Sequence, residues 1–253
     1  MASRNIHELV QSMLAGGKAS LAHLISMVEA GNPDVPSLLE LISSSLHGAY
    51  RIGITGLAGA GKSTLIDQLT AVFRRNGFTV GIIAVDASSV ITGGAVLGDR
   101  LRMQQHYLDE GVFIRSMANR GYYGGLSRAV GDTIKLMDAS GKEVIIIETV
   151  GVGQTEVDIM NVADTIAVVL TPAFGDSIQL MKAGLIEIAD IVVVNKADLP
   201  GAVLLQKQLQ DELVYSPRRD KQAVVLTQAN IGKGIEELHK ELEKRRPAKS
   251  KYA

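Results

Sequence analysis

Apolar positions in the first fifty residues recur at intervals of three and four. Ile6, Leu9, Val10, Met13 and Leu14 form one stripe, and Leu21, Leu24, Ile25 and Val28 a second. This spacing places each set on one face of a helix, and Gly16–Gly17 separates the two. A third helix is expected from Ser37, where Glu40 three residues on would complete a capping box. Its buried face would comprise Leu38, Leu41, Ile42 and Leu46. Stripes of this kind usually face a core. The segment therefore reads as a helical layer on the main domain, suited also to docking a partner.

From Tyr50 the pattern changes. Short Val/Ile runs alternate with amphipathic stretches: "RIGIT", "TVGIIAVD", "VFIRSM", "EVIIIET", "TIAVVLT", "IVVVNKAD" and "AVVLTQA" read as strands. "STLIDQLTAVFRRNG" and "LSRAVGDTIKLMDASG" read as helices between them. Near-continuous apolar runs indicate strands covered on both faces, hence a parallel sheet with helices on each side. The expected fold is α/β, a mostly parallel central sheet flanked by helices, with an N-terminal helical extension. The expected division is 1–48 extension, 49–242 nucleotide-binding domain, and 243–253 basic flexible tail.

Composition narrows the chemistry. The net charge of −1 provides no broad basic field for nucleic acid or an anionic membrane. No apolar run approaches the ~20 residues of a membrane-spanning helix. Cysteine is absent, which excludes disulfides and thiolate metal sites and fits a cytoplasmic setting. The histidines at 7, 23, 47, 106 and 239 lack metal-ligand spacing.

"GLAGAGKST", Gly56 to Thr64, fits G-x-x-x-x-G-K-[ST] between a strand and a helix. Glycines let main-chain N–H groups turn toward phosphate where a side chain would block approach. Gly59, Ala60, Gly61, Lys62, Ser63 and Thr64 are the expected triphosphate contacts, with Lys62 on the β/γ oxygens and Ser63 on Mg2+. "NKAD" ends a later strand. Asp198 can accept both hydrogens of the guanine N1/N2 edge, and adenine would leave a buried carboxylate unpaired there. Asn195 suits the other base edge, the stem of Lys196 can cover the ring, and Ala229 can offer its N–H to the base oxygen. The expected ligands are GTP or GDP with Mg2+.

Further carboxylates sit at strand ends. Glu148 and Gly151 keep the spacing of an Asp-x-x-Gly switch, the carboxylate for Mg2+ and the glycine N–H for the γ-phosphate. Asp86 ends another strand, and Asp99 follows a glycine-containing loop; both are candidates for the metal or its waters. Val152 stands where a water-orienting glutamine is found in Ras-like enzymes, which implies slow intrinsic hydrolysis. Gln154 is the substitute candidate.

The strings "GLAGAGKST", "VDASS…TGG…LGDRLRM", "IETVGVGQTE", "GDSIQLMKAG" and "NKADLPG", in this order, resemble the MeaB/ArgK/MMAA family of P-loop GTPases. The resemblance implies a G-protein chaperone that gates adenosylcobalamin delivery to, and protects, a cobalamin-dependent acyl-CoA mutase such as methylmalonyl-CoA mutase. It places a signalling loop near 172–182, with Asp176 and Lys182 as candidates. It admits a homodimer; because family chains usually continue further, such a dimer is expected to be smaller, differently built or completed by the mutase. Two alternatives are a metal-insertion GTPase and a kinase of the older arginine/ornithine transport label. The chain departs from the pattern at "VDAS" and at Gln228, where the family places a serine.

Overall fold

The computed structural model describes residues 6–87, 103, 105–119, 128–149, 158–172, 185–213, 222–248 and 250. Three helices lead: α1 (Ile6–Leu14), α2 (Lys18–Glu29) and α3 (Val35–Ile42). Then come β1 (Tyr50–Gly56), α4 (Lys62–Arg75), β2 (Val80–Ala87), β3 (Val112–Asn119), α5 (Arg128–Ala139) and β4 (Val144–Glu148). The remainder is β5 (Thr165–Leu170), α6 (Leu185–Ile188), β6 (Ile191–Val194), α7 (Ala202–Leu213), β7 (Ala223–Leu226) and α8 (Ile235–Arg245).

The seven strands form one sheet in the order β3-β2-β4-β1-β5-β6-β7, and every pairing is parallel. This is the α/β architecture expected from the alternating pattern. Its physical cause is legible strand by strand. Every residue of β1, β4, β5 and β6 is buried, whereas the edge strand β7 buries only Val225. Successive residues feed opposite faces. Ile52, Ile146, Val169 and Val193 join Leu65, Leu69 and Phe73 of α4 and Leu238 and Leu242 of α8 in one core. On the other face there are two separate clusters. Ile83, Ile145 and Ile147 pack with Leu24, Ile25, Leu38, Ile134 and Met137. Val168, Val192 and Val194 pack with Leu205 and Leu209.

The third helix begins two residues earlier than expected. Pro36 lies in its first turn, where a fixed φ and a missing N–H are no handicap. The Asn32 side chain accepts the Asp34 N–H at 2.9 Å. No side-chain cap bond forms at the N-cap Asp34, so the Ser37–Glu40 box is absent.

Polar contacts secure the helical layer. The Asp138 carboxylate, fully buried on α5, accepts the N–H groups of His47 (3.0 Å) and Gly48 (3.1 Å) as the chain enters β1. Arg115 of β3 pairs with Glu29 of α2, and the Lys18 ammonium donates to the Asp109 carbonyl at 2.8 Å. At the other end of the chain, Arg246 lies over Phe78 at 4.4 Å and Tyr50 at 5.7 Å. Ser250 donates to Asp164 at 3.0 Å.

His106 fastens residues 105–107 to α4. Its Nε2 lies 3.0 Å from the Asp67 carbonyl and 3.3 Å from the Asp67 carboxylate. The side-chain bond to Asp67 raises the imidazole pKa above its ordinary 6.5, although burial opposes the shift.

Two outcomes are expected. Asp138→Ala leaves two N–H groups unpaired and should cost about 2–3 kcal/mol in urea denaturation. His106 is more basic folded than unfolded, so its contribution is complete below about pH 6.5 and vanishes as pH rises through the folded value. The urea midpoint should therefore fall as pH rises above about 6.5, and His106→Gln should flatten that profile.

Candidate nucleotide site

The C-terminal ends of β1, β4, β6 and β7 converge on the loop that joins β1 to α4. Ligands of open parallel sheets bind at this edge. Two glycines fix the loop's path. Gly56 has φ +133°, and a Cβ there would lie 2.1 Å from the Val169 carbonyl oxygen. Gly61, the N-cap of α4, has φ +89°, and a Cβ would lie 2.5 Å from Asn195 Nδ2. Only glycine satisfies both the left-handed backbone and the close approach.

Lys62 and Ser63 open α4, and both are buried. The Lys62 ammonium donates to the carbonyls of Gly56 (2.8 Å) and Leu57 (3.1 Å), so its charge sits in the mouth of the loop. The Ser63 hydroxyl donates to Glu148 Oε1 at 2.9 Å. Glu148 ends β4, paired in register with Ile54 of β1. Just beyond it, the Thr149 hydroxyl meets that of Thr55 at 2.8 Å. A hydroxyl and a carboxylate oxygen, both buried and side by side, form the oxygen-rich donor set that Mg2+ favours.

Asn195 is the junction of the site. Its Nδ2 donates to the Ala60 carbonyl at 2.8 Å. Its Oδ1 accepts from the Thr227 hydroxyl at 3.0 Å and the Ala229 N–H at 3.1 Å. Sequence reasoning gave Asn195 and Ala229 to the base; here they also bond to each other. Thr227, buried at the end of β7, was missed. Its position one residue before Gln228 was the available signal. Lys196 has φ +56°, the one non-glycine residue with positive φ among those described. Asp198 is exposed. The argument from a carboxylate closed off from water therefore needs correction: a bound base, rather than protein, would have to cover it.

Lys62, Ser63, Glu148, Asn195, Lys196, Asp198 and Ala229 all lie on loops or element ends at this sheet edge. Asp86 ends β2 at the same edge, and its backbone alone is described. Asp99, Gly151, Gln154, Asp176 and Lys182 lie outside the described residues. Among the described residues, no group of three His, Cys, Asp or Glu side chains is placed to hold a metal.

The profile of the family described as "Methylmalonyl Co-A mutase-associated GTPase MeaB" matches residues 21–251. The chain belongs to the MeaB family. It is accordingly a P-loop GTPase. A putative GTPase of Pyrococcus horikoshii is 47% identical over 243 residues, covering 92% of this chain and 75% of that protein. The GTPase ArgK of Escherichia coli is 35% identical over 241 residues, covering 91% and 73%. Among solved structures, one described as a LAO/AO transport system kinase superposes with a TM-score of 0.77 at 26% identity, covering 96% of this chain and 76% of that one. The MeaB match begins at residue 21, within α2, so it includes most of α2 and all of α3.

Asn195→Ala would strand the Ala60 carbonyl, the Thr227 hydroxyl and the Ala229 N–H together. The variant should lose roughly 3 kcal/mol of stability in chemical denaturation, while Lys196→Ala, at a half-exposed position, should stay within about 1 kcal/mol.

Proposed function

We propose that this MeaB-family GTPase acts as a nucleotide-gated chaperone of a cobalamin-dependent acyl-CoA mutase. In this reading it gates adenosylcobalamin delivery and protects the loaded enzyme. The single observation behind the reading is the Ser63–Glu148 contact beside the Lys62 ammonium, in a chain whose family is named for association with such a mutase. The division of labour would place nucleotide chemistry in 49–242 and leave 1–48 as a layer available to the client, in a protein working in the cytoplasm.

The residues support the chemistry as follows. Main-chain N–H groups of Gly59 to Thr64, the positive end of α4 and the Lys62 ammonium hold the triphosphate and its developing negative charge. Ser63 and Glu148 would hold Mg2+, with Asp86 and Asp99 as further candidates; the ion would offset the negative charge of the phosphates. Water attacks the γ-phosphorus, and no covalent enzyme intermediate is required. Asp198 is exposed and able to accept the guanine N1–H and N2–H, and Lys196 presents its stem to the ring. Asn195 aligns these elements with the phosphate loop and retains one Nδ2 hydrogen for the base. With no glutamine at Val152, intrinsic hydrolysis is slow, and Gln154 or the client supplies the water-positioning group. Gly151, Asp176 and Lys182 would relay the γ-phosphate's presence to the client surface.

A carboxylate reader discriminates through unpaired donors and acceptors, worth a factor on the order of 10^4. Calorimetry should accordingly find GDP bound far more tightly than ADP, and Asp198→Asn should cut that preference at least tenfold; equal affinities would refute the assignment. For the client, purified cobalamin-dependent mutases should bind the protein with affinities at least fivefold different between its GDP form and its non-hydrolysable GTP-analogue form. Identical or undetectable binding in both forms would refute the chaperone reading.

A further inference from the structure

Residues of α2, of 106–107 and of the edge strand β3 line an open cleft of about 550 Å³. That volume is within the range of small-molecule sites. Its floor is apolar, with Val112, Phe113 and Ile114 from β3 and Ala22 from α2. Its polar groups are Lys18, Arg115, His106 and Tyr107. An apolar floor with a few basic side chains along it is a complementary surface for a molecule with an apolar body and an anionic head.

The charge balance supports an anion. Lys18 donates to a carbonyl and has no carboxylate partner among the described residues. Burial first, and then the charges of Lys18 and Arg74, lower the pKa of the neighbouring Lys142, so basic groups crowd one another here. Arg115 is offset by Glu29; its NH2 group bonds to Glu29 and Ser26, and its Nε has no partner among the described residues. Asp109 is the opposing carboxylate, and it is held by Arg74 through two bonds of 2.8 and 2.9 Å. His106 is 6% exposed. Its Nε2 faces the Asp67 carbonyl and therefore carries a hydrogen.

His106 also connects the cleft with the nucleotide site. Asp67 lies on α4, little more than one helical turn beyond Ser63. Its carboxylate accepts from Gln105 as well. A ligand that orders residues 105–107 therefore tightens the clamp on the helix whose first turn holds phosphate.

We propose that this cleft is a second, regulatory site for a small amphipathic anion, a carboxylate or phosphate monoester on an apolar body, coupled to α4 through His106 and Asp67. The site goes beyond the nucleotide-gated chaperone reading and binds independently of it.

The test uses the full chain without nucleotide. Calorimetric titrations with octanoate, phenyl phosphate and inorganic phosphate distinguish the two head groups from the bare ion. At least one of the two amphipathic probes should bind at a single site, and inorganic phosphate at least tenfold more weakly. Ala22→Phe, which fills the cleft without altering charge, should abolish binding, and Lys18→Gln should weaken it at least fivefold. Thermal melts establish that each variant is folded, and Lys18→Gln alone decides if Ala22→Phe is not. Hydrogen exchange of peptides covering residues 57–73 should slow at least twofold with the bound probe. Absence of binding by both amphipathic probes, equal binding of inorganic phosphate, or binding indifferent to the substitutions would overturn the site. Unchanged exchange would overturn the coupling. Because no arm contains GTP, failure here is distinct from failure of the nucleotide assignment.

Discussion

The structure turns on the side chain of Asn195. A parallel sheet presents its strand ends as separate loops, and nothing in the sheet itself holds those loops in register with each other. One carboxamide does so here, spanning Ala60 of the phosphate loop, Thr227 at the end of β7 and Ala229 beyond it. Buried amides of this kind are costly unless every polar atom finds a partner. The requirement that makes Asn195 expensive to misplace also makes the site rigid. Gly61 belongs to the same constraint, because only a residue without Cβ lets the carboxamide approach.

Much of this was legible in the sequence. The near-continuous apolar runs "VIII", "TIAVVL" and "IVVV" pointed to strands buried on both sides, and Ile145 to Ile147 indeed alternate between two cores. The phosphate loop was legible because its glycines serve a purpose that few other settings demand. The start of α3 was misread: Ser37 and Glu40 have the right spacing for a cap, but spacing cannot reveal that Pro36 had already opened the helix.

The junction chemistry was less legible. Asn195 reads as a base contact, and its role as a tie between three loops depends on residues 135 and 32 positions away. Thr227 has no local signature beyond its place beside Gln228. The exposure of Asp198 was equally hidden, because sequence records a carboxylate's identity and not what covers it. His106 looked like an isolated histidine for the same reason. Its partner lies on a helix 39 residues earlier, and only the fold brings them together.

The two faces of the sheet are built differently. One carries a single cluster from Val112 through to Val225, braced by α4 and α8. The opposite face is divided, with the N-terminal helices and α5 in one block and α6–α7 in another. A slab glued continuously on one side and jointed on the other bends along its joint. Here the joint runs beneath β1, the strand that delivers the phosphate loop. One short stretch crosses it: Val162 packs against the first block, while Ile159 and Ala163 belong to the second, so the floor under the phosphate loop is held by both.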